Sequence, residues 1–235
     1  MVSGFCYDGL ERMIKIPKTS NARRTRLPDE HRRLIKGLRR VIKDGRVLDS
    51  MTRTPREVFV PFNLRHLTYE DMPLSIGHGQ TISQPLIVAL MLEALELKGD
   101  ETVLEVGTGS GYQAVLLSQL ARRVVSVERI PALSKKAWEL ISALGCVNVR
   151  VELAGEELGC PRHGPYDAII VAASAPEIPK SLLRQLRTGG RMVIPMGSRD
   201  EQDLQRVVKG ERGVRVESLG SCRFVPLIGE GGWEE

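Results

Sequence analysis

Three glycines occupy every second position where an apolar run gives way to a helical pattern: Gly107, Gly109 and Gly111. Glycine tolerates positive φ angles and has no side chain, so a ligand can lie directly against the main chain. Open α/β sheets bind nucleotides at turns of this kind, at the carboxyl ends of their strands. The spacing therefore predicts a nucleotide site; a glycine-rich turn without a ligand is the alternative interpretation.

Two carboxylates near the glycines indicate which kind of nucleotide the site would bind. The dinucleotide fingerprint requires glycine or alanine where this chain has Tyr112, and the lysine of a phosphate-binding P-loop is missing. Glu128 closes the next apolar run and can accept hydrogen bonds from ribose hydroxyls. Glu105 precedes the glycines, where it would repel a pyrophosphate but offset a positive charge. A cationic nucleoside such as S-adenosylmethionine fits this pattern better than an anionic dinucleotide.

The elements that would position these residues alternate along the chain. Short apolar runs separated by helical patterns predict a mainly parallel sheet with helices on both faces. Two further alternating runs, in "LQRVVKG" and "VRVESLGSCRFVPLI", predict antiparallel strands at one edge. The predicted parallel strands are Thr102–Val106, Val124–Val127, Val147–Leu153, Ala168–Val171 and Arg191–Ile194.

The first part of the chain predicts helices and one long connection. A helix is expected from Pro28 to Asp44-Gly45, a short one after Thr54-Pro55, and a third from Gln84 to about Leu97. Between the last two, "FVPFNLRHLTYEDMPLSIGHGQTIS" is long for a connection, and such segments are usually functional. We expect residues 31–235 to form one domain with an N-terminal helical cap, and residues 1–30 to be a basic extension.

Charge and composition exclude several classes of protein. The net charge of +5 lies in residues 1–50, which carry 13 Lys/Arg against 6 Asp/Glu. This basic stretch could bind nucleic acid, but its regular apolar stripe and lack of aromatics favour an amphipathic helix, so no nucleic-acid partner is expected. No membrane span or secretory signal is recognisable, which predicts a soluble, cytoplasmic protein. The four cysteines lack metal-ligand spacing, so no metal is expected.

Five blocks resemble one known family, the protein-L-isoaspartate (D-aspartate) O-methyltransferases. They are "PLSIGHGQTISQP", "VLEVGTGSGYQAVLL", "VVSVERIPAL", "YDAIIVAASAPEIPKSLLRQLRTGGRMVIPMG" and "RFVPLIGEGGW", in this order. The resemblance runs from about Arg53 to Trp233. It implies a Rossmann-like α/β methyltransferase fold with a mainly parallel seven-stranded sheet. It also implies methyl transfer from S-adenosylmethionine, leaving S-adenosylhomocysteine, to the α-carboxylate of L-isoaspartyl residues in damaged proteins and peptides. The enzyme is expected to be a monomer.

The resemblance also implies roles for individual residues. Ser83 stands at the family's active-site serine, with Thr81, Ile82 and Gln84 beside the substrate carboxylate. On the cofactor side the implied residues are Glu105, Gly107, Thr108, Gly109, Gly111, Glu128, Arg129 and Glu156. The "RFVPL" strand, with Phe224, Val225 and Pro226, would bind the substrate main chain. A serine capping the helix that begins near Pro85 is the alternative role for Ser83, and both roles can coexist.

One departure concerns the adenine. Relatives usually have Gly-Asp-Gly after the third strand, whereas this chain reads Ala154-Gly155-Glu156. Either Glu156 supplies the carboxylate from one position later, or the main chain alone holds the adenine. The product ester is expected to cyclise spontaneously to a succinimide that reopens partly to normal aspartate. An acceptor carboxylate is already ionised at neutral pH, so no general base is expected.

Three other functions fit the residues less well. A nucleic-acid base methyltransferase would be expected to show Asn/Asp-Pro-Pro-Tyr/Phe after the fourth strand, where this chain has "AASAPEIP". A cytosine C5 enzyme needs a cysteine after proline, whereas Cys160 precedes Pro161. A fold that only senses or scaffolds the cofactor is opposed by the retention of Ser83 and its loop. An NAD-dependent dehydrogenase is excluded by Tyr112.

Overall fold

A seven-stranded sheet organises the protein, whose computed structural model describes residues 28–234. Its strand order is β5-β4-β3-β6-β7-β8-β9. The pairs from β5 to β7 are parallel, and β8 and β9 add antiparallel strands at one edge, as the sequence predicted. The strands are β3 (Thr102–Val106), β4 (Arg123–Glu128), β5 (Val149–Leu153), β6 (Tyr166–Val171), β7 (Leu186–Gly197), β8 (Gln202–Lys209) and β9 (Val214–Cys222).

The central strands β3, β4 and β6 are buried along nearly their whole length, which is why their sequences are almost continuously apolar. The strand order reverses beside β3, whose neighbours are β4 on one side and β6 on the other. Ligands of open α/β sheets bind at such a reversal, beyond the carboxyl ends of the strands. The helices between the strands are α4 (Tyr112–Ser118), α5 (Pro131–Ala143) and α6 (Lys180–Gln185).

The N-terminal cap consists of α1 (Asp29–Leu38), α2 (Gly45–Arg53) and α3 (Pro85–Ala94). The prediction of one helix up to Asp44-Gly45 was wrong. The carboxylate of Glu93 accepts hydrogen bonds from the amides of Lys43 and Asp44, at 2.6 Å each. These bonds hold a break between α1 and α2, and Asp44 then caps α2 by accepting from the Arg46 amide at 2.8 Å.

The long connection before Ser83 contains regular structure that the sequence did not reveal. It holds the 3-10 helix Phe62–Leu67 and a hairpin of β1 (Leu74–Gly77) and β2 (Gln80–Ile82). The 3-10 helix Arg56–Phe59, just before the connection, is the short helix expected after Pro55. The hairpin turns through Gly77, His78 and Gly79, which all have positive φ angles. Their conformation reverses the chain and directs Thr81 and Ile82 back towards α3.

Several element ends differ from prediction. Strand β5 begins at Val149 instead of Val147, and β7 runs from Leu186 to Gly197 instead of from Arg191 to Ile194. The helix expected to reach Leu97 ends at Ala94, and Glu96 adopts φ 48°, in the left-handed region that stops a helix. The prediction that "RFVPL" forms a strand was also wrong, because β9 ends at Cys222. Residues 223–226 leave the sheet edge, and Pro226 instead forms an isolated bridge with Ser174. No helix of the described residues is both long and apolar enough to cross a bilayer.

Candidate active site

A cavity of about 890 Å³ lies at the carboxyl ends of β3, β4 and β6, where the strand order reverses. Segments that are far apart in sequence line it together, which makes the fold itself responsible for the site. They include residues 79–84, 107–110, 127–130, 154–159 and 221–229. The glycine loop, the hairpin that leads to Ser83 and the segment after β9 therefore meet around one volume.

The glycines differ in what they do. Gly107 and Gly109 line the cavity with φ angles of 96° and 53°. A Cβ on Gly107 would lie 3.3 Å from the Cβ of Ala172, which is a tight contact. Both this crowding and the positive φ angle therefore favour glycine at position 107. Gly111 does not line the cavity. It precedes α4 with φ 85°, and a Cβ on it would lie 3.2 Å from Ile141. Gly111 therefore has a packing role here, and its expected contact with the cofactor stays a prediction.

Glu128 stands at the end of β4 with only 6% of its surface exposed, yet it lines the cavity. One carboxylate oxygen accepts from the Gly109 amide at 2.8 Å, and the other accepts from the Ile130 amide at 2.9 Å. Each carboxylate oxygen has capacity for a further bond, so the side chain is held rigidly while still able to accept two donors from a ligand. Arg129 follows it at the exposed rim of the cavity.

Glu105 lies on β3, directly before the glycine loop, as the sequence predicted. It is fully buried beneath the glycine loop and does not line the cavity. One oxygen accepts from the Ser126 hydroxyl, while among the described residues its Oε1 has no partner. Desolvation raises the pKa of Glu105 to about 8. The Glu105 carboxyl therefore lies behind the backbone of the glycine loop, and its role as a counter-charge to a bound cation stays a prediction.

Thr108 belongs to the same buried cluster of polar side chains as Ser126 and Glu105. Its hydroxyl lies 2.6 Å from that of Ser126, and its side chain is almost entirely covered. The residue nevertheless borders the cavity. Thr108 therefore offers a ligand its backbone more than its hydroxyl, and Ser126 links it to Glu105.

The segment from Thr81 to Gln84 forms the opposite wall of the cavity. Thr81 is exposed, Ile82 is buried, and Ser83 is half-buried between β2 and α3. Within residues 28–234, no hydrogen bond engages the Ser83 hydroxyl. The helix N-cap is Gln84, and Asp71 provides the capping group by accepting from the Leu86 amide at 2.8 Å. The capping role for Ser83 is therefore wrong, and its hydroxyl is available.

The third wall is formed by Phe224, Val225 and Pro226. The Phe224 amide donates to Gln202 at 2.7 Å, and the Val225 carbonyl accepts from the Ser174 amide at 2.8 Å. These bonds fix the backbone of a segment that is not a strand. It faces the cavity as an ordered, mainly apolar surface.

Glu156 lines the cavity from the segment after β5, where it is exposed and forms no hydrogen bond within the described part of the chain. Its position is compatible with either interpretation of the missing aspartate. No group of three or more His, Cys, Asp or Glu side chains in residues 28–234 is arranged to hold a metal ion.

Sequence reasoning missed three residues at this site. Tyr112 was used only to exclude a dinucleotide, but it is buried against the cavity, and burial raises its pKa to about 12. Asp71 supports α3, as described above. Arg56 lies beneath Ser83 with 1% of its surface exposed. An arginine is normally a surface residue, so nothing in the sequence marked Arg56 as buried.

Comparisons with known proteins agree with this geometry. The family model for protein-L-isoaspartate(D-aspartate) O-methyltransferase matches residues 29–232. A protein-L-isoaspartate O-methyltransferase of Methanoculleus marisnigri is 52% identical over 83% of this chain and 89% of its own length. One from Rhodopseudomonas palustris is 52% identical over 83% of this chain and 80% of its own.

Solved structures give the same answer at lower identity. One protein-L-isoaspartate O-methyltransferase has a TM-score of 0.76 and 27% identity, covering 86% of this chain and 67% of its own. A candidate member from Plasmodium falciparum, in complex with S-adenosyl-L-homocysteine, has a TM-score of 0.73 and 28% identity, covering 84% and 98%. The family match over most of the chain, together with a cavity that unites the predicted motifs, leads to one conclusion: this chain belongs to the protein-L-isoaspartate(D-aspartate) O-methyltransferase family.

Proposed function

We propose that this protein methylates the α-carboxylate of L-isoaspartyl residues in damaged proteins and peptides, with Ser83 orienting the acceptor. The observation that carries this proposal is the continuity of the cavity. Glu128 and the bare backbone of Gly107 and Gly109 lie in the same volume as Thr81 and Ser83. A nucleoside held on one side would therefore face a carboxylate held on the other.

The cofactor side suits S-adenosylmethionine. The rigid Glu128 carboxylate can accept hydrogen bonds from both hydroxyls of a ribose. Because Gly107 and Gly109 have no side chains, the methionine part of the cofactor can lie close to the sheet. Among the described residues, the cavity lining holds two cationic side chains, Arg129 and Arg223, and only Arg129 follows the strand that carries Glu128, which argues against a polyphosphate ligand beside it. When bound, this cofactor supplies a methyl group on a positively charged sulfonium. Glu156 stays a predicted adenine contact.

On the acceptor side, the protein has to position the substrate carboxylate and does not need to activate it. A carboxylate of ordinary pKa near 4 is ionised at neutral pH and needs no general base. The free Ser83 hydroxyl and the exposed Thr81 can donate to one carboxylate oxygen, which leaves the other free to attack. The cavity walls exclude water from the reacting atoms and hold them in line. The methyl ester then leaves, and its cyclisation proceeds without the enzyme.

The expected partner is an extended peptide, since isoaspartate arises in unrelated sequences. The ordered wall at Phe224, Val225 and Pro226 offers a peptide an apolar surface beside the acceptor position. Folded proteins that bury their isoaspartate should be poor substrates. A monomer, a cytoplasmic location and the absence of nucleic-acid substrates stay predictions, and sedimentation and cell fractionation test the first two.

The test is transfer of labelled methyl from S-adenosylmethionine to a peptide containing L-isoaspartate. The same peptide with normal aspartate, DNA and RNA serve as parallel acceptors. We expect base-labile label on the isoaspartyl peptide alone, since a methyl ester hydrolyses in base. Base-stable label on nucleic acid, with none on the isoaspartyl peptide, would overturn the proposal.

A further inference from the structure

The guanidinium of Arg56 lies beneath the acceptor wall of the cavity. Arg56 begins the 3-10 helix Arg56–Phe59, and 1% of its surface is exposed. Its Nε donates to the carbonyl of Thr68 at 3.1 Å, and its Nη2 donates to the carbonyl of Ser83 at 2.9 Å. One side chain thus links the segment before the β1–β2 hairpin to the residue after it.

The same guanidinium also contacts the cofactor side. Its Cζ lies 5.0 Å from the ring centroid of Tyr112, a distance typical of a cation above an aromatic face. Tyr112 is the first residue of α4, directly after the glycine loop, and it lines the cavity. Arg56 therefore lies between Ser83 and the loop on which the methyl donor is proposed to rest.

Burial of the Arg56 guanidinium is energetically unfavourable, and the need to fill space does not explain it. No carboxylate forms a salt bridge with Arg56 within residues 28–234, and its Nη1 is buried without a hydrogen-bond partner there. Burying a charge without a paired counter-charge is strongly unfavourable, so a side chain that merely filled space would be apolar. Burial accordingly lowers the pKa of Arg56 from its ordinary value. Its planar fork instead reaches two carbonyls in different segments, which the single ammonium of lysine cannot reproduce.

We propose that Arg56 is a positioning residue for methyl transfer: by holding the Ser83 carbonyl against Tyr112, it fixes the distance between the acceptor wall and the cofactor loop. The inference rests on the proposed orienting role of the Ser83 hydroxyl. Arg56 itself does not line the cavity and touches no reacting atom. Its effect reaches the reaction through the placement of Ser83.

The test compares Arg56→Lys with Arg53→Lys, a matched exchange at an exposed arginine of α2 that does not line the cavity. Misplacing a reacting group by about 1 Å costs on the order of 100-fold, so we expect kcat for an isoaspartyl peptide to fall by roughly 10- to 100-fold in Arg56→Lys. The dissociation constant of S-adenosylhomocysteine, measured by calorimetry, should stay close to that of the unaltered protein. Arg53→Lys should change neither quantity.

Two further measurements separate positioning from general support of the fold. In a Ser83→Ala background, Arg56→Lys should cost much less than it does alone, because there is then no hydroxyl to place. Hydrogen exchange of residues 80–84 should rise in Arg56→Lys while that of β3 and β4 stays slow. Arg56→Gln, which keeps an amide donor without the charge, repeats both measurements if Arg56→Lys melts at a much lower temperature.

The outcomes that overturn the inference are specific. Unchanged kcat in Arg56→Lys, a loss of S-adenosylhomocysteine binding as large as the loss in kcat, or additive effects with Ser83→Ala would each do so. If the unaltered protein does not methylate the isoaspartyl peptide, the proposed function fails by itself. Hydrogen exchange of residues 80–84 then still decides whether Arg56 holds that segment, and unchanged exchange means that it does not.

Discussion

At the scale of single residues, burial decides which of the predicted acidic groups can meet a ligand. Glu105 and Glu128 both stand on central strands near the glycine loop, and both were predicted to meet the cofactor, Glu128 through the ribose and Glu105 as a counter-charge. Glu128 reaches the cavity, whereas Glu105 lies behind the backbone. Residue type and spacing identified both carboxylates, but the direction of each side chain became clear only from the packed fold.

Ser83→Ala should lower turnover on an isoaspartyl peptide while leaving cofactor binding nearly unchanged. The hydroxyl has no partner in the described structure, so its removal takes away a bond made only to the substrate. A hydrogen bond to a charged group contributes about 1.5–3 kcal/mol, which corresponds to a fall in kcat of roughly 10- to 100-fold. Ser142→Ala, at an exposed position of α5, is the control. An equal loss in calorimetric affinity for S-adenosylhomocysteine would instead place Ser83 in support of the cofactor or fold.

Glu105 should make stability depend on pH. Its carboxyl ionises near 4.5 in the unfolded chain, and desolvation raises the pKa to about 8 in the folded protein. Between these values the folded state binds the extra proton, so the free energy of unfolding falls as pH rises. Relative to Glu105→Gln, the cofactor-free protein should lose about 3 kcal/mol between pH 5 and pH 8. Urea unfolding at both pH values measures this difference, and parallel pH curves for the two proteins would show that Glu105 ionises normally.

Glu156→Gln should weaken the binding of S-adenosylhomocysteine if Glu156 replaces the aspartate that relatives carry. The exposed carboxylate lines the cavity, and losing one charge-assisted hydrogen bond should raise the dissociation constant by roughly 5- to 20-fold. Glu139→Gln on the exposed face of α5 is the matched control. Unchanged affinity in Glu156→Gln would mean that other groups hold the adenine.

At the scale of elements, α3 depends on a residue outside it. Asp71 accepts from the Leu86 amide at 2.8 Å and from the Gln84 side chain at 3.0 Å, so it caps the helix and steadies the residue next to Ser83. Removal of a capping group costs about 1 kcal/mol, and we expect Asp71→Ala to lower the free energy of unfolding by that amount. Asp100→Ala, at an exposed turn, should have little effect. Equal denaturation midpoints for the two variants would contradict the capping role.

Element prediction succeeded where a single physical cause dominates. The bounds of β3 were predicted correctly because a short, fully buried strand is mainly apolar, here at Val103, Leu104 and Val106. The break between α1 and α2 was missed because it depends on Glu93, some fifty residues away. The β1–β2 hairpin was missed because strands of three or four residues carry too little periodicity to stand out between glycines.

At the scale of the whole molecule, the alternation of strands and helices predicted the sheet, and the resemblance of motifs predicted the family. The cavity followed from both, because a reversal of strand order beside β3 is where such sheets bind ligands. What the sequence could not provide is the set of contacts between distant segments. Arg56 is the clearest example of such a contact, because its partners are backbone carbonyls, which every residue type has.

Removal of residues 1–27 should leave the activity intact. The family model begins to match at residue 29, and every described residue that lines the cavity belongs to the matched range. We expect kcat/KM for an isoaspartyl peptide to stay within about threefold of the full chain, as is usual when a terminal segment lies outside the working domain. A much larger loss, with an unchanged melting temperature, would assign the basic segment a part in substrate capture.

Within residues 28–234, the β1–β2 hairpin pairs only with itself and is separate from the seven-stranded sheet. The residues proposed to bind the acceptor at the hairpin and those proposed to bind the cofactor thus stand on different elements that line one cavity. Exchanging hairpin residues between homologues should accordingly redirect which damaged peptides are repaired while the methyl-donor half keeps its architecture. Substitutions confined to the hairpin can therefore diversify acceptor preference while the strands and loops proposed to bind the methyl donor keep their sequence.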